Sequence, residues 1–236
     1  MKYMGSKARI AKHILPIILK DRMYGQFYVE PFVGGANSID KVEGNRIGAD
    51  CNEYLIAFWK ALQEGWTPPR GINKELYEQV KANKEIYPKE LVACIGFCFT
   101  YGAKWFRGFV GSANDVVCKG RDRIGESYRA VDKAIVGCRS ITFVHSFYSD
   151  LNIPDNSIIY CDPPYEGTES YRDKFDHGKF WDWCRGMATA GHTVFVSEYN
   201  APSDFECVWE QVVKSSLSTK DKGSKGKKAV ERLFTI

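Results

Sequence analysis

The alternation of apolar and polar residues divides the first part of the chain into short strands and helices. Isoleucines at helical spacing predict a helix within residues 6–20, which Pro16 is expected to kink or split. Two short apolar runs predict strands that end at Glu30 and at Asp50. Between them lie a glycine-rich turn and a short helix near residues 38–42.

One longer helix continues this pattern before it breaks. Asn52 is its expected cap and Gly65 its stop, so the order of strand, turn, helix, strand and helix is typical of a parallel α/β unit. The composition of residues 66–71 then indicates a linker. After it come two helical stretches within residues 73–99, a segment rich in glycine and aromatic residues, and a polar helix near residues 126–136.

The α/β alternation returns in the last part of the chain. Strands are predicted at 140–146, 157–162 and 192–199, a helix at 179–191, and a closing antiparallel pair at 205–217 and 231–236. We therefore predict an α/β protein with one core, formed by residues 1–64 and 141–236. Residues 65–140 are predicted to be a mainly helical insertion into it.

Three of the predicted strands end in an acidic residue, namely Glu30, Asp50 and Asp162. Ligands of open parallel sheets bind at the carboxyl ends of the strands, so the three acids together indicate a site at one edge of the sheet. Acids in this position can instead cap the next helix, and for any one of the three that interpretation is about as good.

The turn after the first strand, EPFVGGAN, predicts a ligand that approaches the backbone closely. Gly34 and Gly35 permit such an approach, and Asp50 is placed to accept hydrogen bonds from ribose hydroxyls. The turn is neither GxGxxG nor a P-loop, which argues against a dinucleotide or a triphosphate. A nucleoside ligand without phosphates fits better, and S-adenosylmethionine is such a ligand.

The segment DPPY predicts a clamp for an amino group on a planar ring. Two prolines stiffen the turn, so the Asp162 carboxylate and the Pro163 carbonyl point the same way, and Tyr165 is expected to present an exposed flat face. Both acceptors would favour a localised lone pair on the amine and stabilise the positive charge that develops during methyl transfer. The alternative is a rigid turn with a surface tyrosine.

Charge adds a possible nucleic-acid partner to this picture. The chain of 236 residues carries a net charge of +4 and a pI of about 8.5. Two basic segments are candidates for phosphate contacts, and the residues predicted to bind DNA are Lys104, Arg107, Arg121, Arg123, Lys222, Lys225, Lys227 and Lys228. The lysine run can also be a solvated loop, and the neighbouring Trp105 and Phe106 can equally belong to the core of the insertion.

Cysteine usage and hydropathy place the protein in a reducing compartment. The eight cysteines form no CxxC pair, the four histidines are scattered, and no apolar window is long enough to span a bilayer. We expect reduced and mostly buried cysteines, no metal site, no membrane association and a cytoplasmic protein without a signal peptide.

Several motifs together resemble the DNA adenine-N6 methyltransferases of bacteria and their phages. They are YMGSK near the start, EPFVGGAN, ADCNEYLIAFWKAL, DPPY, FVSEYNAP and KAVERLF, in the order found in the subgroup whose cofactor loop precedes DPPY. Two departures stand out: Ala36 and Asn37 occupy places where a third glycine is common, and residues 66–139 do not closely match the segment that reads GATC.

The resemblance implies a mixed, mostly parallel seven-stranded sheet flanked by helices, in which residues 65–140 are the target-recognition region. It implies S-adenosylmethionine as cofactor, double-stranded DNA as substrate, base flipping, direct in-line transfer, and a monomer or weak dimer in a bacterial or phage-infected cell. The implied catalytic residues are Asp162, Pro163, Pro164 and Tyr165, with Tyr165 stacking on the flipped base. The implied cofactor-binding residues are Tyr3, Lys7, Glu30, Pro31, Phe32, Gly34, Gly35, Ala36, Asn37, Asp50, Cys51, Phe147 and Asp162.

Two alternatives remain open. The same clamp suits other planar amines or amides, such as cytosine N4, RNA bases or a protein glutamine, although the aspartate of DPPY favours adenine. The second alternative is a catalytically silent DNA-binding protein, and the intact DPPY segment argues against it.

Overall fold

The computed structural model describes residues 1, 3, 5–111, 121–166, 175–214 and 228–236, with only the backbone described at 214, 228 and 229. The strands form one seven-stranded sheet. They are β1 (Tyr28–Glu30), β2 (Arg46–Asp50), β3 (Thr142–His145), β4 (Ile158–Cys161), β5 (Thr193–Glu198), β6 (Glu206–Lys214) and β7 (Lys228–Thr235). Their order across the sheet is β3-β2-β1-β4-β5-β7-β6.

The first five strands are parallel, and only β7 runs against its neighbours β5 and β6. The expected mixed, mostly parallel seven-stranded sheet is therefore confirmed, as is the closing antiparallel pair. The order in which strands are added to the sheet reverses at its centre. β2 and β3 lie on one side of β1, and β4 and β5 lie on the other. Such a switch point opens a crevice at the carboxyl ends of the two central strands.

Six α-helices flank the described part of the sheet. They are α1 (Ala11–Ile18), α2 (Glu53–Gln63), α3 (Lys74–Ala82), α4 (Lys89–Ala93), α5 (Arg123–Cys138) and α6 (His177–Thr189). The caps of α2 are as expected, since the Asn52 side chain accepts a hydrogen bond from the Leu55 amide at 3.1 Å and Gly65 takes a positive φ of 91°.

The split expected at Pro16 does not occur. α1 runs through Pro16 and ends at Ile18, while the interruption lies earlier, between a 3-10 turn at Lys7–Arg9 and α1. The proline falls in the last turn, where it removes only the bond to the Lys12 carbonyl. Lys12 lies on the exposed side, so water can satisfy that carbonyl.

Two hydrophobic clusters cover the two faces of the sheet. Neighbouring residues of β4 alternate between them: Ile158 and Tyr160 belong to the larger cluster, and Ile159 and Cys161 to the smaller one, which packs against α6. The larger cluster also contains residues of α3 and α4, so the predicted insertion contributes to the same core as the rest of the chain.

The predicted insertion contains a close contact at Gly96. α4 continues into a π-helical turn at Cys94–Cys98, and a Cβ atom placed on Gly96 would lie 2.5 Å from the Trp105 ring and 2.7 Å from the Phe106 ring. Phe106 is buried and contacts Tyr77, with ring centroids 5.4 Å apart. Phe106 is therefore core, as the alternative interpretation of this segment held.

Candidate active site

The three strand-ending acids lie on one edge of the sheet. Glu30 ends β1, Asp50 ends β2 and Asp162 directly follows β4, and these three strands are parallel neighbours. Their carboxyl ends flank the switch point between β1 and β4. The expectation that the acids share one edge is confirmed, whereas their surroundings differ markedly.

Asp50 fixes the glycine-rich turn. Its two carboxylate oxygens accept hydrogen bonds from the Gly34 amide at 3.1 Å and from the Asn52 amide at 2.9 Å. Burial raises the pKa of Asp50 to about 6, against the opposing effect of these two bonds. The acid therefore joins the turn after β1 to the start of α2, and its remaining lone pairs can still accept a hydroxyl.

The two glycines of the turn leave room for the Tyr3 side chain and would let a ligand approach the backbone. A Cβ atom on Gly35 would lie 2.5 Å from the Cβ of Tyr3, and one on Gly34 would lie 2.9 Å from its ring. The next residue, Ala36, holds a φ of 51°, in the left-handed region that glycine favours. The loop therefore keeps a glycine-like backbone at a position where this sequence has alanine.

Glu30 is a buried acid. Its side chain is 4% exposed and accepts a hydrogen bond from the Tyr28 hydroxyl at 2.8 Å. Burial raises the pKa of Glu30 to about 8, so the group is largely protonated at neutral pH. It lies at the predicted edge but offers a ligand little surface.

Asp162 is paired with a buried lysine from the start of the chain. The Lys7 ammonium lies 3.1 Å from Asp162 and 3.5 Å from Glu231 of β7, and the lysine is only 8% exposed. Burial alone would lower the pKa of Lys7, but the two carboxylates outweigh it and raise that pKa. Burial also raises the pKa of Asp162, which Lys7 opposes.

Tyr165 does not present an exposed ring, so that expectation is wrong. The side chain is 9% exposed, and its hydroxyl donates to Glu231 at 2.8 Å. The Lys7 ammonium lies 4.4 Å from the ring centroid, and Tyr199 packs against the same ring in a T-shaped contact. The ring is buried because β7, distant in sequence, supplies both the acceptor for its hydroxyl and part of the surface that surrounds it.

Two acids at this site, Glu198 and Glu231, are not among the predicted site residues. Glu198 ends β5 and accepts hydrogen bonds from the amides of Tyr199 at 2.7 Å and Glu166 at 3.2 Å. Burial raises the pKa of Glu198 to about 7. Glu198 ends a largely apolar strand, TVFVSE, and a charge in such a place is a signal of a buried partner, whereas Glu231 stands next to Arg232 in β7 and gives no such signal.

The remaining predicted cofactor residues lie along the same edge. Phe147 follows β3 and is 62% exposed, while Cys51 follows Asp50 and is also exposed. Phe32 packs in an aromatic group with Tyr148. Pro31 is buried, and the Asn37 carbonyl accepts a hydrogen bond from the Lys41 ammonium.

The predicted DNA-binding residues are only partly described. Lys222, Lys225 and Lys227 lie outside the described residues, as does the side chain of Lys228. In the predicted insertion, Lys104 and Arg107 lie in the irregular segment after the π-helical turn, and Arg107 is exposed. The Arg121 guanidinium pairs with Glu126 and Arg123 lies 5.3 Å from the Tyr101 ring, so those two charges have local partners.

The cysteines are mostly buried, as expected. Cys94, Cys98, Cys138, Cys161 and Cys184 are buried free thiols, whereas Cys51 and Cys207 are exposed. Cys118 lies outside the described residues. No group of three or more His, Cys, Asp or Glu side chains that could hold a metal ion occurs among the residues with described positions.

Within the described ranges, no helix combines the length and apolar character that crossing a membrane requires.

The sheet and its acidic edge define a mixed seven-stranded α/β protein with a candidate ligand site at the switch point, and comparison with known proteins adds a family. Residues 3–91 match the family of D12 class N6 adenine-specific DNA methyltransferases. The resemblance to adenine-N6 DNA methyltransferases is thereby confirmed over this part of the chain, which contains the glycine-rich turn, Asp50 and Lys7.

The chain is also similar to one curated relative and to two solved structures. The chain is 26% identical to the type II methyltransferase M.FokI of Planomicrobium okeanokoites over 211 residues, which are 78% of this chain. The match spans only 31% of the length of M.FokI.

The solved structures are yhhF of Escherichia coli, which is assigned as a methyltransferase, and SMU.472, assigned likewise and solved in complex with SAH. For yhhF the identity is 8% and the TM-score 0.40, with 100% of this chain and 97% of that chain covered. For SMU.472 the identity is 11% and the TM-score 0.35, with 98% and 53% covered.

Proposed function

We propose that this protein transfers a methyl group from S-adenosylmethionine to the N6 amino group of adenine in double-stranded DNA. The observation that carries the proposal is the position of Asp162. It follows β4 at the switch point, beside the strand whose turn is fixed by Asp50. The match of residues 3–91 to the adenine-specific family supports the choice of base.

The residues of the sheet edge suit a cationic nucleoside cofactor. Acids prevail there, and Lys7 is itself paired with two of them. Asp50 retains acceptor capacity for ribose hydroxyls, and the exposed Phe147 ring offers a face to a planar base. When bound, S-adenosylmethionine supplies an electrophilic methyl group.

The protein's own task is to make the amine nucleophilic and to hold it. In the proposed transfer the amine lone pair forms the new N–C bond, while the electrons of the broken S–C bond stay on sulfur. Positive charge develops on nitrogen until a proton leaves to solvent. Asp162 and the Pro163 carbonyl would accept the two amine hydrogens, and the fixed Asp162 charge would stabilise the developing cation.

The target base must leave the helix to reach Asp162, so base flipping belongs to the proposal. Stacking of the base on Tyr165 requires one ring face to become accessible, since the ring is 9% exposed in this structure. We assign target recognition to the insertion, residues 65–140. Lys104 and Arg107 are its candidate phosphate contacts. We further propose that the protein acts as a monomer or weak dimer. Its substrate would be bacterial or phage DNA in the cytoplasm.

The test is transfer of labelled methyl groups to unmethylated DNA, followed by nucleoside mass spectrometry. We expect N6-methyladenine with the natural chain and a loss of about 100-fold or more in kcat with Asp162→Ala. Asp155→Ala is the matched control, because Asp155 is an exposed acid in the turn before β4, at the opposite edge of the sheet.

Three outcomes would contradict the proposal. Methylcytosine would point to N4 chemistry, and labelled RNA or protein would point to another planar amine or amide. DNA binding without any transfer would indicate a catalytically silent protein.

A further inference from the structure

Glu231 occupies a place at the site that the proposed reaction does not yet explain. It lies on β7, between β5 and β6, and its carboxylate accepts a hydrogen bond from the Tyr165 hydroxyl at 2.8 Å. The same carboxylate oxygen lies 3.5 Å from the Lys7 ammonium. The Glu231 side chain is 16% exposed, so its charge is poorly screened by water.

The positive charge of Lys7 opposes the negative charge of Asp162, and Glu231 can offset this effect. Its ammonium lies 3.1 Å from Asp162, where a single cation cancels much of the negative potential that Asp162 offers to a target amine. With Lys7 and Asp162 alone the group would be neutral. A second carboxylate on the same lysine leaves one net negative charge.

We propose that Glu231 is a positioning residue of the methyl-transfer site, which neutralises Lys7 so that the negative charge of Asp162 remains available to the amine. The hydrogen bond from Tyr165 holds the Glu231 carboxylate in place. This inference rests on the proposed function, and it predicts that the net charge of the three groups governs kcat.

The first variant is Glu231→Gln, which keeps the shape and an acceptor for Tyr165 but removes the charge. We expect kcat to fall about tenfold or more, while KM for S-adenosylmethionine stays within about twofold. The matched control is Glu210→Gln. Glu210 is a carboxylate of the neighbouring strand β6, paired with Arg232 at 3.2 Å, and its loss is expected to leave both constants unchanged.

The second test restores the charge balance. Lys7→Met alone leaves Asp162 and Glu231 as two like charges without their cation, which favours protonation of Asp162 and so lowers activity. The double variant Lys7→Met with Glu231→Gln removes that repulsion and returns to one net negative charge. We expect the double variant to be more active than Lys7→Met alone, and more active than the product of the two single losses predicts. Strictly multiplicative losses would overturn the inference.

The pH profile supplies a readout that a structural role would not change. Glu231 raises the pKa of Asp162, so Glu231→Gln should move the acidic limb of kcat to lower pH. The other titratable groups that face Asp162 remain in both proteins, namely Lys7, Tyr165, Tyr160, Glu30, Glu198 and Tyr199.

The outcomes separate this inference from the proposed function. If the natural chain methylates nothing, the proposed function fails. If it is active and Glu231→Gln matches it in kcat, the inference alone fails. Calorimetric cofactor binding and thermal melting establish that each variant is folded. Should Glu231→Gln not fold, the comparison of the double variant with Lys7→Met decides.

Discussion

At the scale of the residue, Glu30 shows how far burial changes an acid. Its carboxyl group is 4% exposed, bonded to the Tyr28 hydroxyl, and burial raises its pKa to about 8. In the unfolded chain the same group ionises near its ordinary pKa of 4.5. Between these values the folded state holds a proton that the unfolded state has released, so stability falls as pH rises from about 4.5 through 8.

Replacing Glu30 with glutamine should remove this loss. Each pKa unit corresponds to about 1.4 kcal/mol, so we expect Glu30→Gln to gain a few kcal/mol relative to the natural chain between pH 5 and pH 8. Urea unfolding of both proteins at the two pH values measures it. Equal pH dependence in the two proteins would show that Glu30 ionises normally.

The strand-end acids and Tyr165 show which features of the site can be predicted from the sequence and which cannot. The acids at the carboxyl ends of β1, β2 and β4 are predictable, because their place depends only on where each strand ends. The burial of Tyr165 is not, since its hydroxyl bonds to Glu231, 66 positions away in the sequence. Alternation in β7 indicates which face a side chain takes, but not which partner lies across it.

At the scale of the element, two helical glycines illustrate opposite uses of the same residue. Gly96 lies in the π-helical turn after α4, where Trp105 approaches so closely that a Cβ would meet its ring at 2.5 Å. Gly186 lies in α6 on an exposed position, with no atom near its Cβ site. The first glycine is required by packing and the second is not.

We therefore expect opposite effects on stability from the same substitution. Gly96→Ala should destabilise by about 1–3 kcal/mol, because Trp105 and Phe106 are fixed by their own packing. Gly186→Ala should stabilise by about 0.5–1 kcal/mol through helix propensity. Chemical denaturation of both variants provides the comparison, and equal signs would contradict this account of Gly96.

Most elements follow from the sequence because apolar periodicity and capping residues are local. Asn52 and Gly65 bound α2 as the sequence indicates. The interruption before α1 and the π-helical turn at Cys94–Cys98 do not follow from it. Both depend on packing, since Lys7 is drawn to Asp162 and Gly96 accommodates Trp105.

At the scale of the whole molecule, the net charge of +4 is modest, so the proposed binding of DNA depends on how that charge is distributed. Arg107 is exposed in the insertion, whereas Arg185 on α6 forms hydrogen bonds with Asp204 and Asp182. A guanidinium that is already paired with carboxylates is less available to a phosphate than an exposed one in the proposed recognition region.

DNA affinity should accordingly respond to one arginine and not to the other. Arg107→Ala is expected to weaken binding at all sequences and to reduce the slope of log K against log salt by about 1. Arg185→Ala is the control and should leave the slope unchanged. Fluorescence anisotropy across a salt series measures both, and identical slopes for natural chain and Arg107→Ala would remove Arg107 from the interface.

The site joins parts of the chain that are synthesised far apart in time. Lys7 belongs to the first turn, Asp162 follows β4, and Glu231 lies on β7, which inserts between two strands made before it. A ribosome that has not yet released residues 228–235 therefore carries a nascent chain whose Tyr165 and Lys7 lack their shared carboxylate. On the proposed function, we therefore expect the methyl-transfer centre to be complete only once β7, which carries Glu231, has entered the sheet.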